Sequence, residues 1–269
     1  RIKMLKKSSF YLIFSILSVI IFFFVLAPII KLIFSSSPEM LINTAKEKEV
    51  YSTILLTFKA SFTATLLSLL FGVPLAYLMA RVDFPAKVFI EGIMNLPVII
   101  PHTAAGIALL TVFGNRFFLG KFFNIIGLSF VGEFAGIVVA MMFVSMPFLL
   151  NDVLEGFRSI DPRLEKVSRS LGATPAQAFF KIALPLNISH IISGSLMMWA
   201  RGLSEFGAVV IMAYHPMTAP VLIYERFTSF GLKYSRPIAA IMVMASLVVF
   251  ILLRLVNGKM NSTNKEIEG

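Results

Sequence analysis

The sequence contains no cysteine, a single tryptophan and little charge. Without thiols there is no disulfide, no thiolate metal site and no cysteine nucleophile. Asp, Glu, Lys and Arg make up only 14% of the 269 residues, where soluble domains carry about a quarter. Catalytic signatures are missing too. There is no Gly-x-Ser-x-Gly, no His-Glu-x-x-His and no pair of Asp within an apolar run, so a membrane-embedded enzyme lacks its constellation. No Gly-x-x-x-x-Gly-Lys-Ser/Thr loop occurs, so the chain does not hold ATP in that manner. Nor is there an internal repeat, a low-complexity tract or a signalling domain, which argues against a sensory or scaffold protein. His102, His190 and His215 are too scattered to form a metal site and read as hydrogen-bonded interfacial residues. No metal and no cofactor are expected on this chain.

What is present is apolar. Hydrophobic residues make up 58%, with 27 Phe and 14 Met, and the mean hydropathy is +0.88. A bilayer core takes about 20 apolar residues as helix, and the chain supplies about six such runs. These are Ser9 to Phe34, Ser52 to Ala80, Phe89 to Phe113, Phe134 to Leu154, Ile188 to Ala213 and Pro237 to Val256. The first is too long for the apolar core of a cleaved signal and lacks a small-residue cleavage site, so it reads as a retained helix. The chain opens on Arg1 instead of Met, and its native start is expected to be missing or renumbered. The fold class is therefore all-α and polytopic, one membrane domain over residues 1–269 with residues 258–269 as a mobile tail.

The net charge of +10 lies between apolar runs, so it reports orientation in a lipid bilayer and not nucleic acid. With six spans and both termini in the cytoplasm, fourteen of the 24 Lys and Arg fall on inner segments and eight on outer ones. Lys59 and Arg201 fall within helices. Lys59 is expected to snorkel to the outer boundary, and Glu91 to be solvated at the inner edge of the third run.

The densest basic cluster lies between the fourth and fifth runs, at about residues 155–187. Asp161-Pro162 and Thr174-Pro175 each combine a capping side chain with Pro at the first helical position. Gly172 between them supplies a left-handed stop. Leu164, Val167, Ser168 and Leu171 share one face at helical spacing, with Arg163, Lys166 and Arg169 elsewhere. The segment is two short helices at a bend, the second ending before Pro185. An amphipathic knob of this kind lies on anionic lipid or docks into a partner.

Gly172, nine residues, then Ile182-Ala183-Leu184-Pro185 resembles the coupling-loop motif of permease subunits in binding-protein-dependent ABC importers. The family's Glu-Ala-Ala triplet is replaced by Lys166-Val167-Ser168, with Glu165 one place early. The resemblance implies that Asp161, Arg163, Glu165, Lys166, Arg169, Gly172, Ala173, Thr174, Pro175, Ile182, Leu184 and Pro185 form a handle in the groove of a cytoplasmic ATPase. Glu165 is the candidate to stand in for the family's acidic contact, although it projects about 100° away around the helix. The resemblance also implies a second copy of the chain, an ATPase dimer that binds ATP and Mg, an extracytoplasmic binding protein and the cytoplasmic membrane as location.

Two further stretches, Leu96 to Gly106 and Trp199 to Val210, resemble oxyanion permeases. The continuation from Ala213 through Phe227 is similar to molybdate/tungstate members, with sulfate or another small anion as the alternative. Pro97 and Pro101 kink or unwind the third run, either for packing or to line a passage. Thr103, Arg201, Ser204 and Glu205 join them as pore or gate candidates. Arg201 and Glu205, four apart, share a helix face. A structural ion pair near a gate is the expected role, and contact with the anion is the alternative.

Overall fold

In the computed structural model the backbone is described for residues 9–267, and among these no strand occurs. The basic residues Arg1, Lys3, Lys6 and Lys7 lie outside the described residues, as do the side chains of Ser9, Arg254 and all from Val256 onward, and the whole of residues 268 and 269. The tail 258–269, expected to be mobile, has its side chains there, whereas its backbone is helical to Ile267.

Helices α1 (Ser9–Phe34), α2 (Pro38–Lys46), α3 (Lys48–Arg81), α4 (Lys87–Ile99) and α5 (His102–Phe113) come first. They are followed by α6 (Phe118–Ile125), α7 (Phe134–Ser159), α8 (Pro162–Ser170) and α9 (Pro175–Ala178). After a π-turn at Phe179–Ala183 come α10 (Leu184–Leu186), α11 (Ile188–Leu203), α12 (Gly207–Met212), α13 (Ala219–Phe230) and α14 (Leu232–Ile267). Among the described residues, four helices are long and apolar enough to span a bilayer by themselves: α1, α3, α7 and α14. Two bent pairs, α4 with α5 and α9–α10 with α11, raise the number to six.

The packing follows from residue size. The buried face of α3 reads Thr57, Ala60, Ser61, Ala64, Thr65, Ser68, Gly72 and Ala76, small residues at helical spacing. In lipid, where apolar burial gives no drive between helices, small faces let backbones approach and gain dispersion contact. The opposite face, with Phe62, Leu66, Leu70 and Phe71, is exposed to the apolar surroundings. Hydroxyls on the small face also tie elements together. Ser61 donates to the Trp199 carbonyl at 2.7 Å, and Thr57 accepts from the Ala219 N–H at 2.8 Å. Helix α7 forms the core against α3 and α11, with Ile137, Met141, Leu149, Leu150 and Phe157 fully buried.

Several bounds differ from the sequence reading. The third run is bent, as its prolines led one to expect, but as two helices: α4 and α5 meet at 114° across Ile100–Pro101. Pro101 lacks the N–H that a continuous ladder needs and biases Ile100 toward the extended backbone it adopts. The fifth span ends at Leu203, ten residues short of Ala213, because the chain turns at Ser204–Phe206 before α12. Glu91 is not simply solvated; it pairs with Arg158 of α7. Helix α14 runs past Val256 to Ile267. The second arm of the knob does not stop before Pro185, which sits in the first turn of α10, where its missing N–H is tolerated. The wider π-turn at Phe179–Ala183 precedes it.

Candidate functional site

Two of the polar places in the fold gather the residues singled out from the sequence: the knob after α7 and the breaks between α4 and α5 and between α11 and α12.

The knob is built by its caps. The Asp161 carboxylate accepts from the Arg163 N–H at 2.9 Å, and Pro162 opens α8. Thr174 and Gln177 form a reciprocal capping box at the start of α9, at 3.2 and 2.9 Å. Gly172 joins the arms at φ +94° with open space around its Cα. Glycine is needed there for backbone conformation and not for room. The apolar side chains of α8 and of its C-cap residue Leu171 point outward: Leu164 is 48% exposed, Val167 59% and Leu171 84%. Arg163, Lys166 and Arg169 are exposed around them, as are Thr174 and Pro175, whereas Ala173, Ile182 and Leu184 are half-buried.

Glu165 corrects the sequence reading. It is 7% exposed and turned inward. Its carboxylate accepts from Arg81 Nε at 2.7 Å and from the Tyr77 hydroxyl, while Arg81 Nη1 donates to the Phe157 carbonyl at 2.7 Å. Instead of reaching a second protein, Glu165 braces α8 against the ends of α3 and α7. Where the arm enters the fifth span, Asn187 is fully buried and donates to the Val153 carbonyl at 3.0 Å. Beside the knob a cavity of about 380 Å³ is lined by Arg81, Asp83, Glu165, Lys166 and Arg169, among others. At its rim the Lys87 ammonium, 2.9 Å from Asp83, hydrogen-bonds that carboxylate and holds it below its ordinary range.

The second place joins three residues. Glu205, 1% exposed, lies in the break after α11. Its Oε1 accepts from the Ala208 N–H at 2.9 Å, so it ties down the first turn of α12, whose N-cap position is Phe206. Its Oε2 lies 3.0 Å from Arg201 Nη2 and 3.3 Å from His102 Nδ1, held by charge proximity and not by aligned hydrogen bonds. Arg201 Nη2 is also 3.1 and 2.9 Å from the two ring nitrogens of His102, and Nη1 donates to Ser204 Oγ at 3.3 Å. Helices α5 and α12 lie so close that a Cβ on Gly106 would meet Ala208 O at 2.9 Å, and one on Gly207 would meet His102 Cβ at 2.7 Å. A buried charge needs partners at once, and this packing supplies them.

The structure thus brings together Arg201, Ser204 and Glu205, and Thr103 lies beside His102 with its side chain exposed. Pro101 caps α5, whereas Pro97 is buried in α4 and takes no part. His102 was missed as a site residue because it lies 99 positions from Arg201. Tyr77 and Arg81 were missed for the same reason. Among the described residues no three His, Asp or Glu gather as a metal site.

A helical membrane subunit with a bent amphipathic knob on one side and broken helices within the span is the architecture of a transporter's membrane component. Residues 68–262 match the family described as "Binding-protein-dependent transport system inner membrane component", and the chain belongs to that family. It is 43% identical over 228 residues to the molybdate/tungstate transport system permease protein WtpB of Thermococcus kodakarensis, covering 85% of this chain and 87% of that one. To a probable sulfate transport system permease protein, cysT, of Chlorokybus atmophyticus it is 32% identical over 234 residues, 84% of this chain and 82% of that one. A bacterial alginate ABC transporter solved with its periplasmic protein shares the fold, with TM-score 0.72 at 18% identity and 93% of each chain covered.

Proposed function

We propose that this chain is the pore-forming permease of an ABC importer for molybdate or tungstate in the cytoplasmic membrane, with both termini inside. A separate ATPase dimer binds ATP and Mg and grips the knob, two copies of the chain enclose the passage, and an extracytoplasmic binding protein delivers the oxyanion. The observation that carries this reading is the outward apolar face of α8, Leu164, Val167 and Leu171, bent at Gly172 and flanked by Arg163, Lys166 and Arg169. Large exposed side chains on a rigid, capped helix pair are the form of a docking handle. On this reading Asp161, Gly172, Thr174 and Pro175 set its shape, and Ile182, Leu184 and Pro185 carry its movement into α11. Glu165 holds it to its own bundle.

The 43% identity to a molybdate/tungstate permease supports the substrate. Sulfate is the second reading, favoured by the 32% identity to a probable sulfate permease. All three anions are tetrahedral dianions, so a passage that accepts one has the charge and shape for the others. Arg201, Glu205, Ser204 and Thr103 form the gate region, and Pro101 turns the chain there.

The test is reconstitution with the ATPase and binding protein, followed by uptake of labelled molybdate in competition with tungstate and sulfate. ATP-dependent uptake blocked by tungstate supports the reading, while sulfate as the sole effective competitor moves it to the second.

A further inference from the structure

We propose that the cavity between the end of α3 and the knob binds a phosphate group, supplied by the headgroup of an anionic phospholipid. The site goes beyond the importer reading and does not depend on the transported anion.

The argument begins with the two faces of α8. At about 100° per residue, Leu164, Val167 and Leu171 cluster on one side of the helix. Pro162, Glu165, Lys166 and Arg169 cluster about 180° away, and these four line the cavity. Its other wall is the end of α3, with Tyr77 and Arg81. The apolar face that serves as a handle therefore leaves the cavity face unused. Arg163 falls between the two faces and does not line the cavity.

Charge decides the class of ligand. Arg81, Lys166 and Arg169 line the cavity against Asp83 and Glu165. Both acids already have counter-charges, Arg81 on Glu165 at 2.7 Å and Lys87 on Asp83 at 2.9 Å. Among the described residues, Lys166 and Arg169 take part in no ion pair. Two unanswered cations thus face one cavity of about 380 Å³. Arg81 adds a charge that is only partly met. Its Nε and Nη1 are engaged, but Nη2 is buried with no hydrogen-bond partner. A nearly buried guanidinium in that state is stabilised by further negative charge close by. Lys166 offers phosphate oxygens a point charge, and Arg169 a planar fork.

Position decides the source. Arg81 is the last residue of the α3 span, so the cavity lies at the boundary where headgroups sit. Leu78, Val82 and Phe180, each within two residues of a lining residue, are exposed at 54%, 45% and 63%. A phospholipid meets both demands, with its phosphate between Lys166 and Arg169 and its acyl chains along these apolar side chains. On the proposed orientation this is the cytoplasmic side, where basic pockets beside spans take anionic headgroups. A zwitterionic headgroup suits the site less, because its ammonium meets Lys166 and Arg169. A bound headgroup ties α8 to α3 a second time, beside the Glu165 brace.

The experiment titrates the full chain in detergent with phosphatidylglycerol, phosphatidylcholine or inorganic phosphate at fixed ionic strength. Bound lipid is counted by native mass spectrometry, with melting followed in parallel. Phosphatidylglycerol is expected to bind more tightly than phosphatidylcholine and to raise the melting midpoint by about 3 °C or more. Lys166→Gln and Arg169→Gln are each expected to weaken its binding about fivefold, while melting like the wild type when no lipid is added. Arg169→Lys keeps the charge and is expected to stay within about twofold of the wild type. Arg163→Gln removes a charge from the same helix outside the cavity, and is also expected to stay within about twofold. Inorganic phosphate that binds with this variant pattern, where phosphatidylglycerol does not, supports the site with a soluble source in place of the lipid. Equal loss in Arg163→Gln, Lys166→Gln and Arg169→Gln would reduce the effect to general surface charge and overturn the site. Binding of neither phosphatidylglycerol nor phosphate overturns it as well. If ATPase binding is then lost in Lys166→Gln, the cavity takes an acidic side chain of the partner instead. None of these measurements uses uptake, so a failure here is separate from a failure of the importer reading.

Discussion

Arg81 at the end of α3 and Glu165 in α8 meet at 2.7 Å across 84 residues of sequence, and both side chains are nearly buried, 12% and 10% exposed. The Tyr77 hydroxyl and the Phe157 carbonyl complete the contact. The knob is therefore not a pendant loop. A force on α8 reaches α3 and α7 through one guanidinium, and α11 through the covalent path past Asn187.

Glu165→Ala is expected to destabilise the folded chain by about 2–3 kcal/mol, because it leaves Arg81 buried without its counter-charge. Glu165→Gln, which keeps an acceptor for Tyr77, is expected to lose less. Thermal melting of the detergent-solubilised protein reads both, and equal melting of all three would show that the brace contributes nothing.

Val167→Asp and Leu171→Asp change exposed side chains that support no interior packing. Melting is expected to shift by less than about 0.5 kcal/mol. Co-purification with the ATPase is expected to fall by about tenfold or more, as for a central contact residue. Loss of folding together with loss of binding would make these positions structural instead.

Gly172→Ala forces a side chain into φ +94°, a conformation costing L-residues about 1–2 kcal/mol. Gly172→Pro is incompatible with it, since proline fixes φ near −65°. Both variants are expected to insert into the membrane normally, with ATPase stimulation reduced for Ala and abolished for Pro. Normal stimulation of the Pro variant would count against the bend as part of the coupling.

At Gly156 a Cβ would stand 1.8 Å from Asn187 Oδ1 and 2.6 Å from His190 Cβ, so α7 and α11 meet with no room to spare. Gly156→Ala is expected to cost about 1–3 kcal/mol by overpacking. Melting is the readout, and an unchanged value would mean that the two helices can part freely.

Much of this was legible locally. Asp161-Pro162, Gly172 and Thr174-Pro175 are capping and turn chemistry within a few residues, and each acts in the structure as its type requires. The long apolar runs marked the spans, and Arg201 with Glu205, one helical turn apart, announced a pair. What was not legible is direction and partnership. Hydropathy continues through Gly207–Met212, so composition alone carried the fifth span across a break that only the buried Glu205 and the close α5–α12 packing explain. Glu165 read as an outward acid because its partners, Tyr77 and Arg81, lie a whole helix hairpin away. His102 looked like a lone interfacial ring until the 114° turn at Pro101 set it against Arg201.

The most direct measurement is cysteine crosslinking. This chain has no native cysteine, so single Ala173→Cys or Thr174→Cys variants give an unambiguous background, scored in the reconstituted importer during oxyanion uptake. The account expects a crosslink from either site to the nucleotide-hydrolysing subunit, with a yield that changes with ATP. Crosslinks to lipid reagents alone, unaffected by ATP while uptake proceeds, would contradict it.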